Sequence, residues 1–108
     1  MGKFEISKRS NGDYQFVLKA GNGEIILSSQ GYAFKSSCEN GISSVKNNAP
    51  DDSHYDRKKS EDNKHYFTLK AGNGQVVGAS QMYEAAAGME KGIESVKSNA
   101  PDAEIVEI

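Results

Sequence analysis

A chain of 108 residues with a net charge of −2, from 13 Lys plus Arg against 15 Asp plus Glu, has the size of one ordinary domain. Residues 1–51 carry six basic and five acidic side chains and residues 52–108 carry seven and ten, so neither half has the basic excess of a nucleic-acid footprint. No apolar run approaches membrane-spanning length, the start "MGKFEISK" lacks a secretory signal's apolar core, and the lone Cys38 allows no internal disulfide. A soluble cytoplasmic protein without membrane contact is the expectation.

In chain order, "KFEISKR" alternates apolar and polar residues, with Phe4 and Ile6 on one face, and reads as a strand. Asn11-Gly12 then suits a tight hairpin turn, because both residues tolerate positive φ. "YQFVLK" is a second strand, with Tyr14, Phe16 and Leu18 on one side and Gln15, Val17 and Lys19 on the other. "AGNG" forms the next hairpin turn through Gly21 and Gly23, and "EIILSS" is the third strand. Thereafter the period changes. Cys38, Ile42, Val45 and Ala49 are spaced as one stripe of a helix, which Pro50 ends. Ser29, Gln30 and Tyr32 mark the strand-to-helix turn, where helix capping and packing account for them. Gly41 lies mid-helix at a cost of about 1 kcal/mol relative to Ala, so the sheet or the other helix is expected to approach closely there.

The same phrases return 51 residues later. "FVLKAGNGE" at Phe16 becomes "FTLKAGNGQ" at Phe67, and residues 16–51 match residues 67–102 at 20 of 36 positions without a gap. Average composition gives roughly two matches by chance. Internal repeats of this kind fix the architecture. The chain therefore divides into repeat one, about 1–51, and repeat two, about 52–108, with no flexible linker between them. Met89, Ile93, Val96 and Ala100 form the second helical stripe, ended by Pro101. The first strand of repeat two is poor, with Arg57 where Ile6 stood, and reads as an edge or partly solvated strand. The tail "AEIVEI" adds one more strand-like segment. Each repeat is β-β-β-α followed by a strand.

The blocks "LKAGNGE…SSQGY…CENGISSVKNNAPD" and "LKAGNGQ…SQMY…MEKGIESVKSNAPD", twice in order, resemble the YegP-like family of small bacterial proteins over essentially the whole chain. The resemblance implies an α+β fold: two β-β-β-α-β units in a single antiparallel sheet, both helices on one face, with exchanged C-terminal strands. Tyr32-Ala33-Phe34 departs from the small hydroxyl residues expected at the first helix start, which weakens that cap. The family brings no activity with it and supplies no catalytic residues.

The repeat also weighs each candidate site, since a chemical group needed in both copies should recur. Cys38 aligns with Met89, which marks a packing slot better than a nucleophile. His65 aligns with Tyr14 and His54 with Lys3, and neither has the convergent company of a metal ligand. "AGNG" is followed by a strand and by no Lys-Ser or Lys-Thr, unlike a phosphate loop. Glu39, Glu90, Lys46 and Lys97 read as solvated helix surface. No catalytic residue, metal site or cofactor is expected. The remaining surface of interest is the sheet face away from the helices, where Gln15, Lys19, Tyr66 and Lys70 form a candidate partner surface beside Val17 and Thr68. The expected function is a non-catalytic binding module, monomeric with internal pseudo-twofold symmetry, with a protein as its partner and nucleic acid disfavoured by net charge. The alternatives are an anionic or nucleic-acid ligand on the open face, and an enzyme with its site between the repeats.

Overall fold

The computed structural model describes residues 2–108. Three strands open the chain: β1 (Lys3–Lys8), β2 (Tyr14–Lys19) and β3 (Ile25–Ser28), followed by α1 (Lys35–Asn48). A 3-10 turn at Asp52–His54 leads into β4 (Tyr55–Lys59), β5 (His65–Lys70) and β6 (Val76–Ala79), then α2 (Ala86–Asn99) and β7 (Glu104–Glu107). All seven strands join one sheet in the order β4-β5-β6-β3-β2-β1-β7.

The alternation read from the sequence decides which side chains go inside. Phe4, Ile6, Phe16 and Leu18 are buried on the face that carries the helices, and Phe67 and Leu69 repeat the pattern. The helix stripes Cys38-Ile42-Val45-Ala49 and Met89-Ile93-Val96-Ala100 enter that same core. Both repeats thus share one interior, as expected from a join without a linker.

Repeat two keeps the conformation of repeat one where its residues differ. Gly12 takes φ 92° in the first hairpin, and Asn63, 51 residues on, takes φ 68° in the second. Asn is the side chain that best tolerates this left-handed region. In the "AGNG" turns only Gly23 and Gly74 need positive φ. The expectation that Gly21 would need it as well is corrected, because one left-handed residue suffices to close the turn.

The mid-helix glycines have a direct cause. A Cβ on Gly41 would stand 2.5 Å from Tyr32 Oη and 3.1 Å from Phe16, and one on Gly92 would run into Tyr83 and Phe67. The turn tyrosine of each repeat lies against the helix it introduces. A third glycine breaks the symmetry: Gly78 is the counterpart of Leu27, and a Cβ there would meet the Leu27 side chain at 2.7 Å. Two leucines cannot occupy the join between the repeats, so one copy has none.

Three expectations change. The sheet is mixed, because β7 runs parallel to β1, with Lys3 opposite Glu104 and Ile6 opposite Glu107. The exchange of strands is not reciprocal: β7 crosses to repeat one, while β4 pairs with β5 of its own repeat. The parallel direction follows because α2 ends beside the start of β1, where a Cβ on Gly2 would stand 2.8 Å from Asn99, so β7 sets off in the direction of β1. The turn serines also do not cap the helices. Phe34 and Ala85 stand at the N-caps without a side-chain cap bond. Ser29 Oγ instead accepts from Phe16 N–H at 2.9 Å and donates to Gln30 O at 2.8 Å, and Ser80 does the same for Phe67 and Gln81. These hydroxyls hold the strand end, one turn too early to reach the helix.

Candidate functional site

The two repeats meet at β3 and β6, and they meet sparingly. Ser28 opposite Ala79 is the one paired position between these strands. Beyond it the strands part and leave a groove of about 570 Å³, lined by Ile25, Ser28, Ser29 and Gln30 and by their counterparts Val76, Ala79, Ser80 and Gln81, with Gly78 at the join. Register places the groove on the open face. Ile25 lies opposite Lys19 and Ser28 opposite Val17, while Val76 lies opposite Lys70 and Ala79 opposite Thr68. Paired residues project from the same side of a sheet.

Because β3 and β6 are antiparallel, each end of the groove combines both repeats. One end gathers Ile25 and Lys19 from repeat one with Gln81 and Tyr66 from repeat two. The other gathers Val76 and Lys70 with Gln30 and Gln15. The four residues singled out in the sequence therefore surround this groove in two symmetric pairs. Ile25 and Val76 give it an exposed apolar element at either end, at 45% and 44% exposure. Sequence reasoning missed these two because "EIILSS" and "QVVGAS" read as ordinary strands. The pairing slips beside them, between Leu18 and Lys19 and again between Leu69 and Lys70, and such a bulge leaves no mark in a local sequence pattern.

The electrostatics of the face are balanced. Lys19 Nζ lies 3.1 Å from Glu5, which Lys3 also approaches at 3.5 Å. Glu5 is nearly buried, yet the hydrogen bond from Lys19 outweighs desolvation and holds its carboxyl below the usual range. Lys70 Nζ lies 3.3 Å from Asp56. Three strand spacings and four residue rises, two from Val17 and two from Thr68, set Lys19 and Lys70 roughly 20 Å apart. They cannot grip one anion together. Gln15 is engaged by Arg9 Nε at 2.5 Å, and Tyr66 lies opposite Lys58 on β4. Thr68, at the centre of the face, is 8% exposed, and its Oγ1 is buried without a hydrogen-bond partner.

The other residues considered in the sequence fall elsewhere. Cys38 and Met89 are both in the core, and burial pushes the Cys38 thiol pKa up, away from a reactive thiolate. His54 Nδ1 lies 2.9 Å from Lys70 O, and His65 sits in a bridge with Tyr83. Among the described residues no group of three His, Cys, Asp or Glu converges on a metal-sized site. Glu90 and Lys97 are not simply solvated. Arg57 Nε lies 2.6 Å from Glu90, its Nη2 lies 3.0 Å from Asp52, and Lys97 Nζ lies 2.8 Å from Asp52. This network fastens β4 to α2 where repeat one uses the apolar Ile6, which is why Arg57 is accommodated. The Arg57 and Lys97 bonds hold Asp52 at about 2.

Comparison with known proteins places this architecture. A model described as a domain of unknown function (DUF1508) matches the chain twice, at residues 10–56 and 60–107. A UPF0339 protein of the ptx operon 5′ region of Stutzerimonas stutzeri is 57% identical over 107 residues, covering 99% of this chain and 96% of that one. The UPF0339 protein YegP of Escherichia coli K12 is 52% identical over 98 residues, covering 91% and 89%. Two solution NMR structures superpose on nearly the whole chain. The Escherichia coli yegP structure, of unknown function, has a TM-score of 0.94 at 48% identity, covering 98% of this chain and 91% of that one. A UPF0339 protein of Shewanella oneidensis has a TM-score of 0.93 at 46% identity, covering 98% and 90%. Among the described residues no helix is long and apolar enough to cross a membrane.

Proposed function

This chain belongs to the UPF0339/YegP family of tandem DUF1508 proteins, and from that premise we propose that it is a non-catalytic binding module of the bacterial cytoplasm, acting as a monomer through the groove between its repeats. The observation that carries this reading is the composition of the groove. Its lining is aliphatic, hydroxyl and amide, with no titratable side chain. Such a surface recognises shape and hydrogen bonds, and offers no acid, base or activated nucleophile for turnover. The Ser29 and Ser80 hydroxyls are already committed to backbone partners. A protein segment presenting apolar side chains beside backbone amides suits it: Ile25 and Val76 supply apolar contact, and Gln30 and Gln81 supply donors and acceptors. Pairing of Lys19 and Lys70 with carboxylates, and their separation, favour this occupant over an anionic chain. The bacterial relatives and the single buried thiol support the cytoplasmic setting.

Affinity capture from native bacterial lysate, comparing the protein with an Ile25→Lys/Val76→Lys variant, tests the reading. A partner retained by the first and lost by the second is expected. Identical captured sets would refute the groove as the binding surface. A variant of Lys19→Glu/Lys70→Glu that loses the partner while Ile25→Lys/Val76→Lys keeps it would transfer the site to the anionic reading.

A further inference from the structure

Repeat symmetry is broken most plainly at the two outer strands. β1 has neighbours on both sides, β2 antiparallel and β7 parallel. Its counterpart β4 pairs with β5 alone and forms the opposite edge of the sheet. Yet β4 reproduces the aromatic part of the surroundings that receive β7, while Arg57 stands in place of Ile6. Phe4 packs on Phe16 with ring centroids 5.7 Å apart, and Lys46 Nζ stands 5.9 Å from the Phe4 ring. Tyr55 packs on Phe67 at the same 5.7 Å, and Lys97 Nζ stands 5.7 Å from the Tyr55 ring.

What β1 accepts is therefore a guide to what β4 can accept. β7 sets Ile105 opposite Phe4 and Glu107 opposite Ile6, and Ile108 N–H donates to Ile6 O at 2.9 Å. Glu107 also pairs with Lys35 of α1. The same register moved to β4 sets an apolar residue opposite Tyr55, an acidic one opposite Arg57, and the residue after it opposite Lys58, one rise short of Lys59. The charge of the edge agrees. Arg57 is held by Asp52 and Glu90, but Lys58 meets its nearest carboxylate, Asp56, only at 3.7 Å, and Lys59 has no ion pair among the described residues.

We propose that the outer edge of β4 docks one extended segment of a partner protein, parallel to β4, with an apolar side chain beside Tyr55 and carboxylates beside Arg57, Lys58 and Lys59. The surface is distinct from the groove and does not depend on it. Three consecutive basic residues keep an edge strand from pairing indiscriminately, and for the same reason they select an acidic strand. Backbone pairing supplies the adhesion, and charge supplies the choice.

The probe is the free-acid peptide Ala-Glu-Ile-Val-Glu-Ile, the sequence of residues 103–108, titrated into the full-length 15N-labelled protein. Saturable amide shifts centred on Tyr55–Lys59 are expected, weakening with added salt. A Lys58→Glu/Lys59→Glu variant, with its fold checked by an unchanged amide spectrum elsewhere, should bind at least fivefold more weakly. The peptide Ala-Lys-Ile-Val-Lys-Ile should not bind that edge. Shifts centred on Lys3–Lys8 would mean that the peptide displaces β7, and no shifts at millimolar peptide would mean no site; either overturns the proposal. So would concentration-dependent self-association without peptide that the double variant abolishes, which would give the edge to a second copy.

Discussion

Thr68→Val should make the protein more stable, although the substitution removes a hydroxyl group. Thr68 Oγ1 is buried and unpaired, whereas Val17 fills the equivalent place in repeat one. In the unfolded chain the hydroxyl is hydrated. Folding strips that hydration without replacing it, at a cost of about 1–3 kcal/mol for a neutral group. Valine has nearly the same shape and β preference, so packing and propensity change little. A gain of about 1–2 kcal/mol is expected, or roughly 5–10 °C in Tm for a domain near 100 residues. Urea denaturation followed by circular dichroism reads this as a higher midpoint at constant slope. The reciprocal Val17→Thr should cost under about 1 kcal/mol, because Val17 is only half-buried and a hydroxyl there can reach solvent. A midpoint for Thr68→Val that is unchanged or lower, at constant slope, would show that the hydroxyl has a partner in solution. The argument from its isolation would then fail.

Gly41→Ala should destabilise by about 1–3 kcal/mol instead of gaining helix propensity, and Tyr32→Phe in the same chain should recover part of the loss in thermal melts. Ile93→Ala, which empties a fully buried helix position, should cost about 2–5 kcal/mol by urea denaturation; a loss under half a kcal/mol would contradict its place in the core. Asp52 is depressed from 3.8 to about 2, so its contribution is present above pH 3.8 and fades as pH falls toward 2. An acid titration of Tm should show that fade reduced in Asp52→Asn. Residues 1–51 alone lack both β7 and the second helix, and should give no cooperative melt as a monomer; a folded monomeric fragment would show that the halves have separate cores.

The sequence exposed what depends on neighbours in the chain. Both helices, their stripes and their ends were legible because Cys38 to Ala49 and Met89 to Ala100 write the same spacing twice. Hairpins were legible from their turn residues. What stayed hidden depends on distant pairs. The parallel seam of β1 with β7 joins Lys3 to Glu104, and no local pattern in "AEIVEI" gives a strand its direction. Arg57 is a flaw in the alternation of β4 by itself, and only the fold supplies Glu90 and Asp52 as its partners. The open-face residues were placed correctly by alternation alone. The groove they surround was not, because it arises where β3 and β6 share one paired position, and strand periodicity carries no signal for a strand that ceases to pair.

The parallel seam has a mechanical consequence. Tension applied at Lys3 and Ile108 draws β1 and β7 past each other along their length, since each is pulled from its opposite end. Every rung between them then bears load together, and none can open first as in a zipper. The seam between β1 and β7 is a clasp loaded in shear, which resists stretching far better than peeling.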